Sequence, residues 1–336
     1  MRALEESTDR LPDSLGSEVV VRAVCDAFGW PPEDAHAVVV GRGAMGRVWK
    51  LTAAGRAYAV KEMLWDEGWL DAAGEVRFRD AAVAAGVRAP DAIALGDGEY
   101  VLRLPESSGG LRYRAYSWSD GTTVSGTAAR AGAADWLGRT LGQLHSLRLQ
   151  PVAPPDDWYE VIPDLGELEA LLTAARHGDP AGSGERIAEL AAMVTPADPD
   201  ARILCHLDVK PANVLEEDTG RSLIDWDDFG AAMPNRELAS VLMRWYAEGP
   251  DLDVDAAERM LANYSAAGGT VELDASAFAM LCATSINYVH AQASVVVDRS
   301  QPREARDFAA DELRSAVRLL PDPGVMRKML SIAARP

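Results

Sequence analysis

Asp225, Asp227 and Asp228 crowd into LIDWDDFG, the eight residues from Leu223 to Gly230. Carboxylate oxygens at that density are what a hard cation such as magnesium takes as ligands. Upstream, ILCHLDVKPANVL places His206, Asp208 and Asn213 in the spacing H-x-D-x-x-x-x-N, on a tight turn between two short apolar strands. In such a turn Asp208 can accept a substrate hydroxyl and Asn213 can offer a neutral oxygen to magnesium. Lys210, beside Asp208, is placed to steady a migrating phosphoryl group. Counting along the hairpin that follows decides among the three aspartates. NVLEE, the turn DTG and RSLI return the chain to Asp225, opposite Asn213, so Asp225 is the expected metal ligand. Asp227 points the same way along an extended chain and is a candidate for a second metal or its water. Asp228 lies past Trp226 and is expected to face an acceptor cleft or to cap the next segment.

Two further features suit a phosphorylated ligand. GRGAMGRV carries Gly41, Gly43, Gly46 and Val48 between two strands, and glycines let backbone N–H groups approach phosphates where a Cβ would block them. Because the glycines run into another strand and open no helix, a dinucleotide-binding turn is disfavoured. Fifteen residues beyond Gly46, Lys61 sits in the apolar strand YAVKEML, one hairpin away from that loop. A lysine there needs a carboxylate. Glu75, on the next helix, is better placed than Glu62, which alternates to the far side of the strand.

The elements that must hold these residues read as strands first and helices second. HAVVVGRG, GRVWKLTAAG and RAYAVKEML are short runs punctuated by glycine, as in antiparallel hairpins, and EYVLRL and LRYRAYSW add two more strands. Helices are expected over SEVVVRAVCDAF, over residues 72–85, and over ADWLGRTLGQLHSLRL, where Trp136, Leu137, Leu141 and Leu144 share a face. Others are expected at 166–175, 184–194, 237–247, 255–266, 275–297 and 303–320. The class is α+β: a loose lead at 1–16, a strand-rich nucleotide-binding lobe at 17–120 with one helix, and a mostly helical lobe at 121–336 for catalysis and acceptor binding.

Composition narrows the partners. With 33 basic and 52 acidic residues the 336-residue chain carries a formal charge of -19, which disfavours nucleic acid and anionic membranes and draws cationic small molecules. Cys25, Cys205 and Cys282 are widely spaced among apolar residues and read as core thiols rather than a disulfide framework. The first sixteen residues lack an apolar targeting core, and a cytoplasmic protein is expected.

Taken together these residues resemble the aminoglycoside phosphotransferase family, small-molecule kinases that share the bilobal protein-kinase-like fold. The resemblance spans about residues 20–330 and rests on GRGAMGRVWKL, YAVK, GVRAP, YSWSDG, LGQLHSL, HLDVKPANVL, LIDW and ELASVL. It implies Asp208 as the catalytic aspartate, Asn213 and Asp225 as magnesium ligands, and Lys61 with Glu75 as an ion pair. It also implies that the backbones of Ser117 and Ser119 bind a nucleobase behind a bulky Tyr116. Leu207 and Lys210 replace the glycine and histidine common at those places, and Glu237 stands where an aspartate is usual.

The expected activity is magnesium-dependent transfer from ATP or GTP to a hydroxyl of a small molecule. The segment Gly230–Glu237 is too short for a peptide-binding platform. Acidic stretches that include Asp156, Asp157, Glu160, Asp311 and Glu312, with Asp228, favour an amine-bearing acceptor: an aminoglycoside, an aminosugar or a cationic antibiotic. The alternatives are a neutral acceptor such as a macrolide or nucleoside, and a catalytically idle binding module on the same fold.

Overall fold

The structure is a computed structural model that describes residues 15–43, 46–64, 71–105, 110–175 and 183–334. The chain divides into two compact units, one of Met1–Val83, Arg88–Thr122 and Leu215–Asp227, the other of Ala84–Val87, Thr123–Val214 and Asp228–Pro336.

In the first unit β1 (His36–Arg42), β2 (Gly46–Ala53), β3 (Arg56–Met63), β4 (Ala92–Ile93), β5 (Leu102–Arg103) and β6 (Arg112–Ser117) form one antiparallel sheet. Its order is β1-β2-β3-β6-β4, with β5 also on β6. Helix α1 (Glu18–Phe28) buries Val20, Val21, Val24 and Cys25 in a core shared with Trp49, Leu51, Val60, Tyr113 and Ala115 of the sheet. Side chains alternate along a strand, so the residues between these core positions point to the opposite face. Lys61 lies directly across from Val48 of β2 and from Arg114 of β6. Glu62 faces the α1 side, where Arg47 Nε at 2.6 Å, Trp49 Nε1 at 3.1 Å and the Tyr113 hydroxyl at 3.3 Å all donate to its carboxylate. Helix α2 (Ala72–Ala84) supplies Glu75, fully buried. The strand expected over EYVLRL shrinks to Leu102–Arg103, and most of the expected lead lies outside the described residues. Its Leu15 is described, and it is buried in this core rather than loose.

Past β7 (Thr122–Thr123) the second unit holds α3 (Thr127–Gly132), α4 (Ala134–Ser146), α5 (Leu165–Ala174), α6 (Ser183–Ala191) and β8 (Ile203–Cys205). The hairpin β9 (Val214–Glu217) and β10 (Gly220–Leu223) interrupts it. There follow β11 (Gly230–Ala232), α7 (Pro234–Tyr246), β12 (Ala247–Glu248), β13 (Asp251–Leu252), α8 (Val254–Ala266), α9 (Ala279–Val297), α10 (Arg303–Arg318) and α11 (Pro323–Ala333). Helices α4 and α8 meet closely because Gly142 has no Cβ; one built there would stand 2.6 Å from the Tyr264 carbonyl oxygen. Helix α11 was not anticipated from the sequence. Its start, Asp322-Pro323, reads as a turn, yet Asp322 caps the helix by accepting from Gly324 and Val325 N–H groups.

The hairpin segment 215–227 belongs with the first unit rather than the helical lobe expected to contain it. Arg88 donates to the Thr219 carbonyl at 2.6 Å and to Glu217 at 2.7 Å, and the Leu223 N–H donates to the Arg88 carbonyl at 2.8 Å. No helix among the described residues is long and apolar enough to cross a membrane.

Candidate active site

In the first unit the sheet register assembles a buried charge cluster. Opposing positions on neighbouring antiparallel strands share a face, so Lys61 and Arg114 stand together, with Tyr116 two residues further along β6. Two cations on one buried face demand carboxylates. Lys61 Nζ meets Asp225 Oδ1 at 2.6 Å and pairs with Asp227 Oδ2. Arg114 Nη1 donates to Asp227 Oδ1 at 2.7 Å and pairs with Glu75. The Tyr116 hydroxyl lies 3.2 Å from Glu75 Oε1 and 3.4 Å from Asp227 Oδ1.

This arrangement changes two sequence readings. Glu75 was expected to pair with Lys61; it engages Arg114 and Tyr116 instead, because β6 brings a guanidinium between the helix and the lysine strand. Asp227 was expected to follow Asp225 along an extended chain. Asp225 in fact adopts the left-handed conformation, φ 63°, and residues 226–228 form a 3-10 turn. That turn folds Asp227 back onto Lys61 and Arg114, so both its oxygens serve the cluster. Trp226 anchors it, with Nε1 donating to the Leu223 carbonyl at 3.0 Å and its ring edge-on to Phe78.

The charges settle accordingly. Burial opposes the charge on Asp227, but Lys61 and Arg114 together hold it down to about 2. Burial, with the Asp227 charge beside it, pushes Glu75 up to about 7 against the pull of Arg114. Lys61, although burial works against its charge, is raised by Asp225 and Asp227. Asp225 is the more open of the pair on Lys61, its side chain 36% exposed against 9% for Asp227. A partly open carboxylate oxygen is a donor that suits magnesium.

Among the glycines, Gly46 is needed for space, since a Cβ there would run into the Glu62 carbonyl. The Gly43 N–H donates to the Gly46 carbonyl at 2.9 Å, closing the loop; Gly41 packs on Val48, and the tip residues Ala44 and Met45 lie outside the described residues. The Ser117 N–H is committed to the Asp91 carbonyl at 2.8 Å, so a backbone contact to a nucleobase there falls to the carbonyl of Ser117. The Ser119 hydroxyl pairs with Glu217.

In the second unit the turn after β8 holds Asp208, itself buried, among three donors. Lys210 Nζ and Asn213 Nδ2 both reach Oδ2 at 2.7 Å, and Arg244 Nη1 reaches Oδ1 at 2.9 Å. Burial disfavours its charge, yet Lys210 and Arg244 keep the carboxyl below its ordinary value. Asn213 also donates to the Asp208 backbone carbonyl at 2.9 Å. Its nitrogen is thus spent on Asp208, which leaves its amide oxygen to a cation. Asn213 and Asp225 are each hard oxygen donors of the kind magnesium takes.

The turn is held from behind. Leu207 takes a left-handed φ of 68°, a conformation that costs about 1–3 kcal/mol in a non-glycine residue. Glu237 of α7 accepts its N–H at 2.5 Å, while the other Glu237 oxygen bonds His145 at 2.7 Å. His145 in turn bonds the Tyr264 hydroxyl at 2.7 Å, and Trp245 donates to the Val209 carbonyl at 3.1 Å.

The carboxylates expected to wall an acceptor cleft divide. Glu160 is taken by Arg202 at 2.8 and 3.1 Å, and Asp311 pairs with Arg314 on its own exposed helix. Asp157 is an exposed residue of the 3-10 turn Asp157–Tyr159, which Asp156 caps by accepting the Trp158 N–H at 2.8 Å. Glu312 accepts from the Tyr288 hydroxyl at 2.6 Å, and the Asp228 carbonyl accepts from the Tyr159 hydroxyl at 3.4 Å. Tyr159 and Tyr288 both lie close enough to Asp208 to feel its charge. Burial first, then Asp228, Asp208 and Asp156, lift the Tyr159 phenol; burial, Glu312 and Asp208 lift that of Tyr288.

Sequence reasoning missed Arg114, Arg244, Tyr159 and Tyr288. The period-two pattern RYRAYS was a signal for Arg114; a lone cation in the apolar run LASVLMRWY was the only one for Arg244.

Over residues 36–273 the chain matches the model of the phosphotransferase enzyme family. A search of curated protein sequences finds no match. Among solved structures, an amicoumacin kinase in complex with AMP-PNP, Ca2+ and Ami is similar at TM-score 0.62 and 16% identity, over 93% of this chain and 97% of that one. A microcompartment-associated aminopropanol kinase is similar at TM-score 0.59 and 16% identity, over 95% and 99%. A spectinomycin phosphotransferase in complex with ADP and spectinomycin is similar at TM-score 0.57 and 15% identity, over 93% and 97%.

Proposed function

This chain belongs to the phosphotransferase enzyme family, and on that premise we propose that it transfers the terminal phosphoryl group of ATP or GTP, with magnesium, to a hydroxyl of a small amine-bearing molecule. The observation that carries the reading is Asp208, buried and ionised, with Lys210 and Asn213 on one oxygen and Arg244 on the other. Phosphoryl transfer asks little covalent work of a protein; it asks for positioning and charge. Asp208 would orient the acceptor hydroxyl and take its proton as the bond to phosphorus forms. Lys210 would neutralise the transferring group, and Lys61 would leave its carboxylates for the donor phosphates covered by the Gly41–Gly46 loop. Magnesium is assigned to Asp225 and Asn213, where it would offset phosphate charge when bound. Ser117 and Ser119 are assigned the nucleobase.

The amine follows from charge. Asp156, Asp228 and Glu312 stand around the tyrosines next to Asp208, and a cation relieves their mutual repulsion. The named substrates of the similar kinases include an aminopropanol and spectinomycin, which support an amino alcohol without identifying one. The test is release of nucleoside diphosphate across aminoglycosides, aminosugars, cationic peptide antibiotics, macrolides and nucleosides. Turnover is expected with amine-bearing acceptors, with kcat/KM falling as salt rises, because exposed charges are screened over about 10 Å at 0.1 M. Efficient, salt-insensitive turnover of a neutral macrolide or nucleoside would sink the amine reading.

A further inference from the structure

Arg244 is an odd residue for its place. Helix α7 buries Leu242, Met243, Trp245 and Tyr246 around it, yet the Arg244 side chain stays 30% exposed and points one nitrogen at Asp208 Oδ1, 2.9 Å away. A guanidinium has five N–H donors in a planar fork, and this contact uses one. With the side chain 30% exposed, donors remain for a ligand beside the carboxylate oxygen that an acceptor hydroxyl would approach. Holding Asp208 in place does not require it, since Lys210 and Asn213 already fix Oδ2 and the Asn213–carbonyl bond fixes the turn.

Resting on the phosphotransferase reading, we propose that Arg244 selects the acceptor by binding an oxygen carried on the carbon next to the one bearing the reacting hydroxyl. A hydroxyl on Asp208 brings its neighbouring carbon within reach of the guanidinium. An ammonium on that carbon would meet Arg244 and Lys210, two like charges, and is repelled. A hydroxyl, carbonyl or carboxylate oxygen there accepts a charge-assisted hydrogen bond, bidentate in the case of a carboxylate. Acids bear on the same group through the tyrosines: after burial, Asp228, Asp208 and Asp156 raise the Tyr159 phenol while Arg244 lowers it, and Glu312 accepts from the Tyr288 hydroxyl. Arg244 thus adds an oxygen-binding cation to a site that also carries acids, which matches an oxygenated amino alcohol better than a bare one.

A matched series tests this: isoserine, 3-amino-1,2-propanediol and 1-amino-2-propanol share the amine and the central hydroxyl and differ in carrying a carboxylate, a hydroxymethyl or a methyl group on the other flank. Each is assayed as an acceptor, and as an inhibitor of the best panel acceptor where it is not turned over. The native enzyme is expected to favour the two oxygenated compounds over the methyl compound by about tenfold or more, the scale on which a built hydrogen-bonding site rejects an analogue. Arg244→Gln is expected to shrink that ratio to within about threefold, and Arg244→Lys to keep the preference for isoserine while losing that for the diol. Thermal unfolding of both variants checks that they fold. No discrimination in the native enzyme, whether by turnover or inhibition, overturns the proposal. So does a ratio that survives Arg244→Gln, or a loss shared equally by all three compounds, which would make Arg244 a positioning residue for Asp208 alone. Absence of phosphoryl transfer to any acceptor, together with absence of acceptor-free nucleotide hydrolysis, would fail the phosphotransferase reading itself; transfer without discrimination would fail only the role of Arg244.

Discussion

The two charge clusters solve opposite problems. Around Lys61 the members come from neighbouring strands, helix α2 and the turn after β10, and almost every oxygen is spoken for. Around Asp208 one carboxylate is held by cations that are themselves part-exposed, 40% for Lys210 and 30% for Arg244. The first is built to keep a fixed charge pattern; the second keeps donors that can change partner when a substrate arrives. Asp225 is the exception within the first cluster, with a side chain 36% exposed.

Replacing Asp225 breaks that comparison most sharply. Asp225→Asn removes the anionic ligand from a hard cation, and magnesium-dependent turnover is expected to vanish, whereas Asp228→Asn should keep nucleotide binding and at most raise the acceptor KM. Steady-state kinetics of the two variants at several magnesium concentrations checks this; the reverse ranking would make Asp228 the metal ligand. Next in size, Asp208→Asn is expected to lower kcat by about 10²-fold or more while nucleotide affinity, read by calorimetry, hardly changes.

Arg114 sharpens the comparison on the side of stability. Removing one partner of a buried ion pair leaves an uncompensated charge and costs about 3–5 kcal/mol, so Arg114→Ala should show a large drop in the denaturant midpoint. Arg244→Gln, from the part-exposed cluster, should move that midpoint far less.

The smallest expected effect is a pH dependence. The folded protein holds a proton on Glu75 up to about 7, while the unfolded chain releases it near the ordinary carboxyl value. Between those two points the folded state binds the extra proton, so its stabilising contribution is present at lower pH and is lost as pH rises through about 7. Glu75→Gln, which keeps the neutral form, should flatten the fall in stability across that window. An unchanged pH profile by thermal unfolding would mean that Glu75 is ionised in the cluster.

Much of this was legible in the sequence where the information is local. The hairpin spacing from Asn213 to Asp225, the turn at Asp208 and the strand at Lys61 are short-range patterns, and the sheet-first, helix-second order gave the class. Pairing across strands was not legible. That Lys61 opposes Arg114 is a matter of register, and no count along the chain reveals it. The left-handed Asp225 escaped for a related reason, since non-glycine residues seldom adopt that conformation and nothing in IDWDD marks it. Nor do acidic letters show their partners: Glu160 pairs with Arg202, 42 residues away in the chain, and Asp311 with Arg314.

The central claim is transfer to a hydroxyl, governed by Asp208 and Asp225. Phosphorus NMR of the product formed from ATP, magnesium and the best amine-bearing acceptor tests it most directly. A magnesium-dependent phosphate ester on the acceptor, absent with Asp208→Asn and with Asp225→Asn, is the expected result. An ester that forms at the native rate in either variant, or phosphate attached to nitrogen rather than oxygen, would contradict it.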